Sequence, residues 1–531
     1  MSLDAVVIGS GPNGLVAANL LADEGWEVLV VEEHEEPGGA VRSAELVEPG
    51  FHNDVFSAFY PLAAVSPFLR RLELERHGLV WRRADVPVAH PTRDGTCAFI
   101  SRDLEESAAN AESFAAGDGA AYRELYELWE RVGSNLIGLL FDPFPPVKPV
   151  LRLVRALGYE EGMRFLRFML MSTRRHGEET FAGAGGRRLL AANALHADLS
   201  PEAPPSAVYG LVLVGLAQQV GFPVPEGGAS GLTRALVRRL ESKGGQVRCG
   251  MRATRIETSG GRARAVICGE ERIEAGRAVF ADVGAPQLYT ELLDNVPERL
   301  LRDLRHFQYD NSTVKLDWAL DGPIPWTAEA ARRAGTIHVA EGVDALTRHS
   351  AALACSEMPE TPWLVMGQYS HFDPTRAPDG CEAAWAYTHV PQAGWSNADT
   401  DRFVDQMEGE VEALAPGFRD LIRGRHVFVP RSMEATNRNL VGGAINGGTA
   451  QLHQQLVFRP TPGLARPETF VDGLFLASAS AHPGGGVHGA PGAHAVHAAL
   501  RAQRPVRPMA RLSRALQADR KNAHAPANVH M

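Results

Sequence analysis

Asp4-Ala5-Val6-Val7-Ile8-Gly9-Ser10-Gly11-Pro12-Asn13-Gly14 is the stretch on which the reading of this chain turns. Residues 4–8 form a short apolar run of the kind a buried parallel strand needs. A G-x-G-x-x-G follows, and then Leu15, Ala18, Leu21 and Ala22 fall at helical spacing up to Gly25. A second apolar run, Val28–Val31, leads into Glu32. Each piece has a physical task. Gly9 permits the tight turn, Gly11 lets a pyrophosphate approach the backbone, and Gly14 lets the helix pack closely on the strand. The helix start supplies unpaired N–H groups and partial positive charge for that pyrophosphate, with Ser10, Pro12 and Asn13 completing the loop. Glu32 ends the second strand, where a carboxylate can accept both ribose hydroxyls. A lone glycine motif is weak evidence, but strand, glycines, helix, strand and acid in register read as a dinucleotide-binding βαβ unit.

Glu32 and Glu33 do not separate one dinucleotide from another. The next segment, Pro37-Gly38-Gly39-Ala40-Val41-Arg42-Ser43, places two glycines just past the ribose acid, where flavoproteins bring a second loop against the dinucleotide. A second block spans residues 225–283: Pro225-Glu226-Gly227-Gly228, then a helix with Leu232, Ala235, Leu236 and Leu240 on one face, stopped by Lys243-Gly244-Gly245. Short strands are expected over residues 247–249, 253–258, 263–269 and 278–281. A third block has a strand over residues 473–477, then His482-Pro483-Gly484-Gly485-Gly486-Val487-His488-Gly489, then a helix. Its glycines fit G-x-G-x-x-G numerically, but no strand and acid follow, so a backbone lying close to a large flat ligand explains them better. Residues 101–221 read as largely helical and residues 286–464 as mixed, with strands such as Ser312–Leu320. The expected architecture is therefore α/β. A discontinuous Rossmann-like domain (residues 1–100, 222–285 and 465–500) surrounds an inserted α+β substrate domain (residues 101–221 and 286–464), and residues 501–531 form a basic tail.

Composition narrows the classes. The chain has 531 residues, long enough for more than one lobe, and is 45% hydrophobic and 22% charged, as an ordinary globular protein is. Its N-terminus lacks a basic segment and a cleavage site, and no apolar run reaches the ~18 residues of a membrane span. A cytoplasmic protein is the expectation. Cys97, Cys249, Cys268, Cys355 and Cys381 never form C-x-x-C, which excludes a disulfide relay and a thiolate metal site. The net charge of -10 argues against nucleic acid as a partner. The tail carries seven basic residues against Asp519, read as a solvated segment, with peripheral contact to an anionic membrane surface as the alternative. No metal is expected: His494 and His497 share a helix face, but no carboxylate accompanies them. A nucleophile elbow, an H-E-x-x-H and a P-loop are all missing, so hydrolase and phosphotransferase readings lack support.

The three blocks, in this order, resemble the phytoene desaturase and carotenoid ketolase branch of the FAD-dependent amine oxidase superfamily, and within it the subgroup named for a pyridine-nucleotide–disulfide oxidoreductase domain. The resemblance covers roughly residues 3–500. It rests on Pro37-Gly38-Gly39-Ala40-Val41 with Glu45, Gly50-Phe51-His52-Asn53-Asp54, Pro225-Glu226-Gly227-Gly228, Ala415-Pro416-Gly417-Phe418 and His482-Pro483-Gly484-Gly485-Gly486. It implies FAD as cofactor, with Gly9, Gly11 and Gly14 at the pyrophosphate and Glu32 at the ribose. It places the Ala253 backbone at the adenine, Gly485, Gly486 and Val487 at the isoalloxazine edge, and Lys315 beside a water at flavin N5. His482 would lie near the flavin, as an acid or base or as a residue fixing the loop. Three positions depart from the pattern: Ala40 stands where an arginine is common, with Arg42 two residues on; Ser478 replaces a glycine; and Gly486 replaces a tyrosine of the amine-flanking cage.

The implied activity is that of an FAD-dependent oxidoreductase, a dehydrogenase, desaturase or oxidase. Its substrate would be apolar and unsaturated, isoprenoid- or polyketide-like, with hydride passing to flavin N5 and on to oxygen or a quinone-like acceptor. The apolar residues 136–171 are expected to line or gate the substrate path. The alternatives are a flavin-dependent polyene isomerase, an amine oxidase, and a non-catalytic FAD-bound regulatory scaffold, which would not need a cavity over the flavin.

Overall fold

The structure is a computed structural model and describes residues 3–143, 145–392 and 397–503. The strand Ala5–Ile8 is fully buried and pairs in parallel with Val28–Val31 on one side and Ala278–Ala281 on the other. Gln246–Arg248 and Leu474–Leu476 extend the sheet at its two edges, also in parallel. The five strands therefore come from three distant parts of the chain, in the order Leu474–Leu476, Ala278–Ala281, Ala5–Ile8, Val28–Val31, Gln246–Arg248.

Both faces of this sheet are covered, which is why its strands read as unbroken apolar runs. The helices Pro12–Asp23, Ser230–Ser242 and Ala490–Gln503 pack on one face. A three-stranded antiparallel sheet (Ala253–Ser259, Arg262–Cys268, Glu271–Glu274) and two short helices cover the other. The first helix must lie very close to its neighbours. A Cβ on Gly14 would stand 2.2 Å from the Gly9 carbonyl oxygen, and one on Gly492 would stand 2.0 Å from the Asn13 carbonyl oxygen.

The second lobe is built on a seven-stranded mixed sheet in the order Ile422–Phe428, Ser312–Leu320, Glu382–Val390, Leu364–Gly367, Ala334–Val339, Val86–Pro91, Cys97–Ile100. The sequence placed residues 86–100 with the dinucleotide lobe, but hydrogen bonding places them here, through parallel pairing of Val86–Pro91 with Ala334–Val339. One face packs on the helix Asn397–Leu414 through Phe403, Met407 and Val411. A layer of helices between Leu104 and Val220 closes the lobe, as the sequence led one to expect for residues 101–221. In its last helix, Gln218 and Gln219, which interrupt an apolar run, accept hydrogen bonds from Tyr122 Oη (3.0 Å) and Trp129 Nε1 (3.1 Å). Among the described residues no helix is long and apolar enough to cross a membrane.

The strand Ser312–Leu320 has no wet face. Its alternation of Val314, Leu316 and Trp318 with Lys315, Asp317 and Ala319 resembles a strand with one wet face, yet all nine residues are buried. The segment around Phe51 and Asp54 covers the polar side.

Candidate functional site

The carboxyl ends of the parallel strands open into a cavity of about 1160 Å³, above the usual ~300–1000 Å³ of a single-ligand pocket. At one end stand Glu32, Glu33 and Ala253; the cavity then passes Gly9, Gly11, Pro12 and Asn13 at the start of the first helix. Gly39, Arg42, Gly485, Gly486 and Val487 also line it, as do Tyr209, Val212, Leu213, Phe222, Trp385 and Tyr387. Ligands of open α/β sheets bind at this end of the strands, where the order reverses.

The glycine cradle fits a dinucleotide. Gly9, Gly38 and Gly39 have positive φ, and a Cβ on Gly11 would come within 2.8 Å of Asp282 Oδ2. Any side chain would fill the groove between the first helix and the second glycine pair, since a Cβ on Gly39 would stand 3.1 Å from Gly11 Cα. Glu32 is fixed before any ligand arrives: its Oε2 accepts from Ser10 N (2.8 Å) and Ser10 Oγ (2.6 Å), and its Oε1 from His34 N (2.9 Å). Ser10 and Gly38 do not line the cavity themselves. The Ser10 hydroxyl accepts from Gly38 N (3.0 Å) and so ties the two glycine loops together. Arg42 reaches the wall with its Nε donating to Gly39 O (2.9 Å), and burial lowers its pKa against the pull of Glu32.

Asp282 escaped the sequence reading. It follows the strand Ala278–Ala281, and its Oδ2 accepts from Gly14 N (2.8 Å) at the head of the first helix. Burial pushes this carboxyl up to about 7, although the Gly14 hydrogen bond opposes the shift. Its position at the carboxyl end of a parallel strand is the signal that could have found it.

Lys315 lines the cavity, with its ammonium 2.5 Å from both oxygens of Asp317 and 3.0 Å from Asp54 O. Burial pushes Asp317 up to about 6 against the pull of Lys315. Asp54 in turn pairs with buried Arg376 (2.9 Å) and accepts from Tyr369 Oη (2.7 Å), which accepts from Trp385 Nε1 (2.6 Å). Lys315 is therefore held by a network with little freedom to move. His482 is placed differently from a catalytic group: it does not line the cavity, and its Nε2 lies 3.2 Å from Asp142 O. Burial lowers its pKa to about 4. This contact ties the glycine-rich loop to the end of the helix Asp118–Phe141, which favours the loop-fixing role over that of acid or base. His494 does similar work through Phe141 O (2.7 Å).

A second polar cluster was also missed. Asp198 lines the cavity in a left-handed backbone conformation, and its Oδ1 lies 2.6 Å from His389 Nε2. Burial works against the charged ring, but Asp198, Asp310 and the Ser312 carbonyl outweigh it and raise the His389 pKa. Asn446 donates its side chain to Asp198 and its backbone N–H to Asp310 Oδ2 (3.0 Å). The same asparagine abuts the glycine loop: a Cβ on Gly485 would meet Asn446 Cβ at 2.8 Å. Of the described residues in 136–171, only Leu140 reaches the cavity wall.

Comparison with known proteins bears on this geometry. A family described as NAD(P)-binding Rossmann-like domain matches residues 7–72, the first βαβ unit and the second glycine loop. Pyridine nucleotide-disulfide oxidoreductase domain-containing protein 2 of Mus musculus is 27% identical over 92% of this chain and 91% of its own length. A zeta-carotene-forming phytoene desaturase of Myxococcus xanthus is 28% identical over 91% of this chain and 90% of its own. The chain is a homologue of the phytoene desaturases. It is an FAD-dependent oxidoreductase in fold and cofactor. The crystal structure of an oxidoreductase from Methanosarcina mazei shares the fold, with a TM-score of 0.60 at 16% identity, over 94% of this chain and 99% of that one. Despite the disulfide in the name of the mouse relative, the five cysteines here are all free.

Proposed function

We propose that this protein dehydrogenates an apolar, unsaturated substrate, isoprenoid- or polyketide-like, and passes the electrons to oxygen or a quinone-like acceptor. The observation that supports this most is the continuation of the dinucleotide groove into a wall of Tyr209, Val212, Leu213, Phe222, Trp385 and Tyr387. A non-catalytic scaffold would have no use for that second compartment. Gly9, Gly11, Glu32 and Ala253 would hold the adenosine and pyrophosphate, and Gly485 to Val487 the flavin end, while Gly14, whose N–H is taken by Asp282, lets the first helix pack on its strand. When bound, FAD supplies a hydride acceptor at N5.

The chain's own residues do the rest. The apolar wall orients the substrate and excludes water, which strengthens every polar contact inside. Lys315, fixed by Asp317 and Asp54, presents a positive charge and a hydrogen-bond donor to the cavity. Asp198, backed by His389, takes up the proton that leaves the substrate carbon. This assigns to Asp198 the proton-handling role that the sequence offered to His482.

A second reading has one observation in its favour. Phe59, Trp385 and Tyr387 share the cavity with Asp198, and aromatic rings beside a carboxylate suit an amine. Gly486, which holds φ +102, leaves the flanking aromatic position empty. Placing a carboxylate on the apolar wall separates the two: Val212→Asp should abolish anaerobic flavin reduction by polyenes and leave FAD bound. Undiminished reduction by polyenes in this variant would overturn the assignment of the wall.

A further inference from the structure

The head of the first helix is short of donors for a pyrophosphate. Pro12 has no N–H, Leu15 N donates to Gly11 O (2.9 Å), and Gly14 N donates to Asp282 Oδ2 (2.8 Å). Of the first turn, Asn13 N is left. Ser10 N and Ser10 Oγ are both directed at Glu32. The first Lys or Arg of the chain is Arg42, which turns its Nε to Gly39 O and its Nη1 to the His34 ring.

A carboxyl group thus stands where a group with two negative charges is to lie. Asp282 and Gly11 both line the cavity, and a Cβ on Gly11 would come within 2.8 Å of Asp282 Oδ2. Asp282 is buried, so little water screens it, and its ionised form would repel the pyrophosphate strongly. Asn13 adds a second observation. Its side chain is 5% exposed and lines the cavity, and its Oδ1 has no hydrogen-bond partner among the described residues. The head of the helix therefore offers unanswered acceptors, and a proton on Asp282 would supply the missing donor.

We propose that Asp282 binds FAD as the neutral carboxylic acid, donating its O–H to the pyrophosphate, so that the protein takes up a proton from water with each FAD. The proposal rests on the placement of the pyrophosphate at Gly9 and Gly11 and does not depend on the substrate. Burial pushes the carboxyl up to about 7, and Glu32 adds to the shift, while the Gly14 N–H and the Asn13 side chain oppose it. The pyrophosphate brings further like charge and raises it again. Above about pH 7 the free protein has lost the proton that the complex keeps, so affinity falls as pH rises, by up to about tenfold per unit. Below that pH both states hold the proton, and affinity is level.

The test is the FAD fluorescence recovered when the full-length holoprotein is diluted to nanomolar concentration, from about pH 6 to about pH 9, where the FAD pyrophosphate stays ionised. Wild-type Kd should rise about tenfold or more across this range. Asp282→Asn accepts from Gly14 N and donates at every pH, so it should keep the wild-type affinity of the acid end throughout. Asp310, Asp317 and His389, whose pKa values are also shifted, lie elsewhere, and a slope caused by them would persist in that variant. The proposal is overturned by a wild-type Kd independent of pH or by a slope that Asp282→Asn retains. It is equally overturned if Asp282→Asn binds FAD about tenfold more weakly than wild type at the acid end, the mark of a carboxylate accepting from an FAD hydroxyl. The wild-type profile decides even if the variant does not fold. Gly11→Val separates the two readings: FAD lost at every pH beside a flat wild-type profile refutes the proton alone, whereas FAD retained refutes the pyrophosphate placement and the proposal with it.

Discussion

Replacing Lys315 by Met should leave a buried carboxylate without its cation, and the cost should depend on pH in a calculable way. In wild type, Lys315 Nζ lies 2.5 Å from both Asp317 oxygens, and burial still holds Asp317 at about 6. An unfolded aspartate titrates near ~3.9. The folded protein thus binds this proton more tightly than the unfolded chain does, so wild-type stability falls as pH rises from about 4 to about 6 and then levels off. Without the ammonium the folded value rises further, and the variant keeps losing stability where wild type no longer does. The gap between them should widen by about 1.4 kcal/mol per pH unit above about pH 6, towards the ~3–5 kcal/mol of a broken buried pair. Urea unfolding of the apo forms from about pH 5.5 to about 8 would measure it. Lys315→Met/Asp317→Asn removes the titrating group, and its gap from wild type should stay flat above about pH 7, where wild-type Asp317 has finished titrating. A Lys315→Met penalty independent of pH, or one that the second substitution fails to flatten, would refute the coupling.

Three further outcomes follow from the site. Gly11→Val puts a branched side chain where a Cβ would already meet Asp282 Oδ2 at 2.8 Å, so the variant should purify colourless; a yellow variant with full flavin content would remove the pyrophosphate assignment. NADH and NADPH should leave the flavin oxidised under anaerobic conditions, because the described chain holds one parallel dinucleotide sheet; rapid bleaching by stoichiometric NADPH would contradict this. Asp198→Asn should slow flavin reduction by substrate at least about a hundredfold with FAD retained, within the range of general-base effects, and an unchanged rate would return the proton to another group.

The first βαβ unit was legible because its chemistry is local: the glycines, the helix start and Glu32 lie within thirty-two residues, and each answers to a backbone constraint. The strand Ser312–Leu320 was also placed correctly, since its apolar residues recur at a period of two, which a helix cannot present on one face. Its environment was not. Alternation distinguishes two faces but does not say whether the second meets water or the covered network of Asp54 and Arg376. Asp198 and His389 are far apart in sequence and meet only because the helical layer closes over the seven-stranded sheet. No local pattern announces such a pair. The apolar stretch 136–171 was read as cavity lining because periodicity marks an apolar face without saying which way it points, and here much of it points outward.

The most direct test of the account is an anaerobic screen of the purified holoprotein, following the oxidised flavin band while amines, amino acids, polyenes and polyprenyl compounds are added in turn. Burial of ~300 Å² of apolar surface at about 25 cal/mol/Å² offers roughly 7 kcal/mol before ordering costs, enough to hold a substrate without an ion pair. The account predicts that polyenes or polyprenyl compounds bleach the band and that small charged amines do not. Bleaching by amines alone would contradict it and give the cavity with Phe59, Trp385, Tyr387 and Asp198 to amine oxidation.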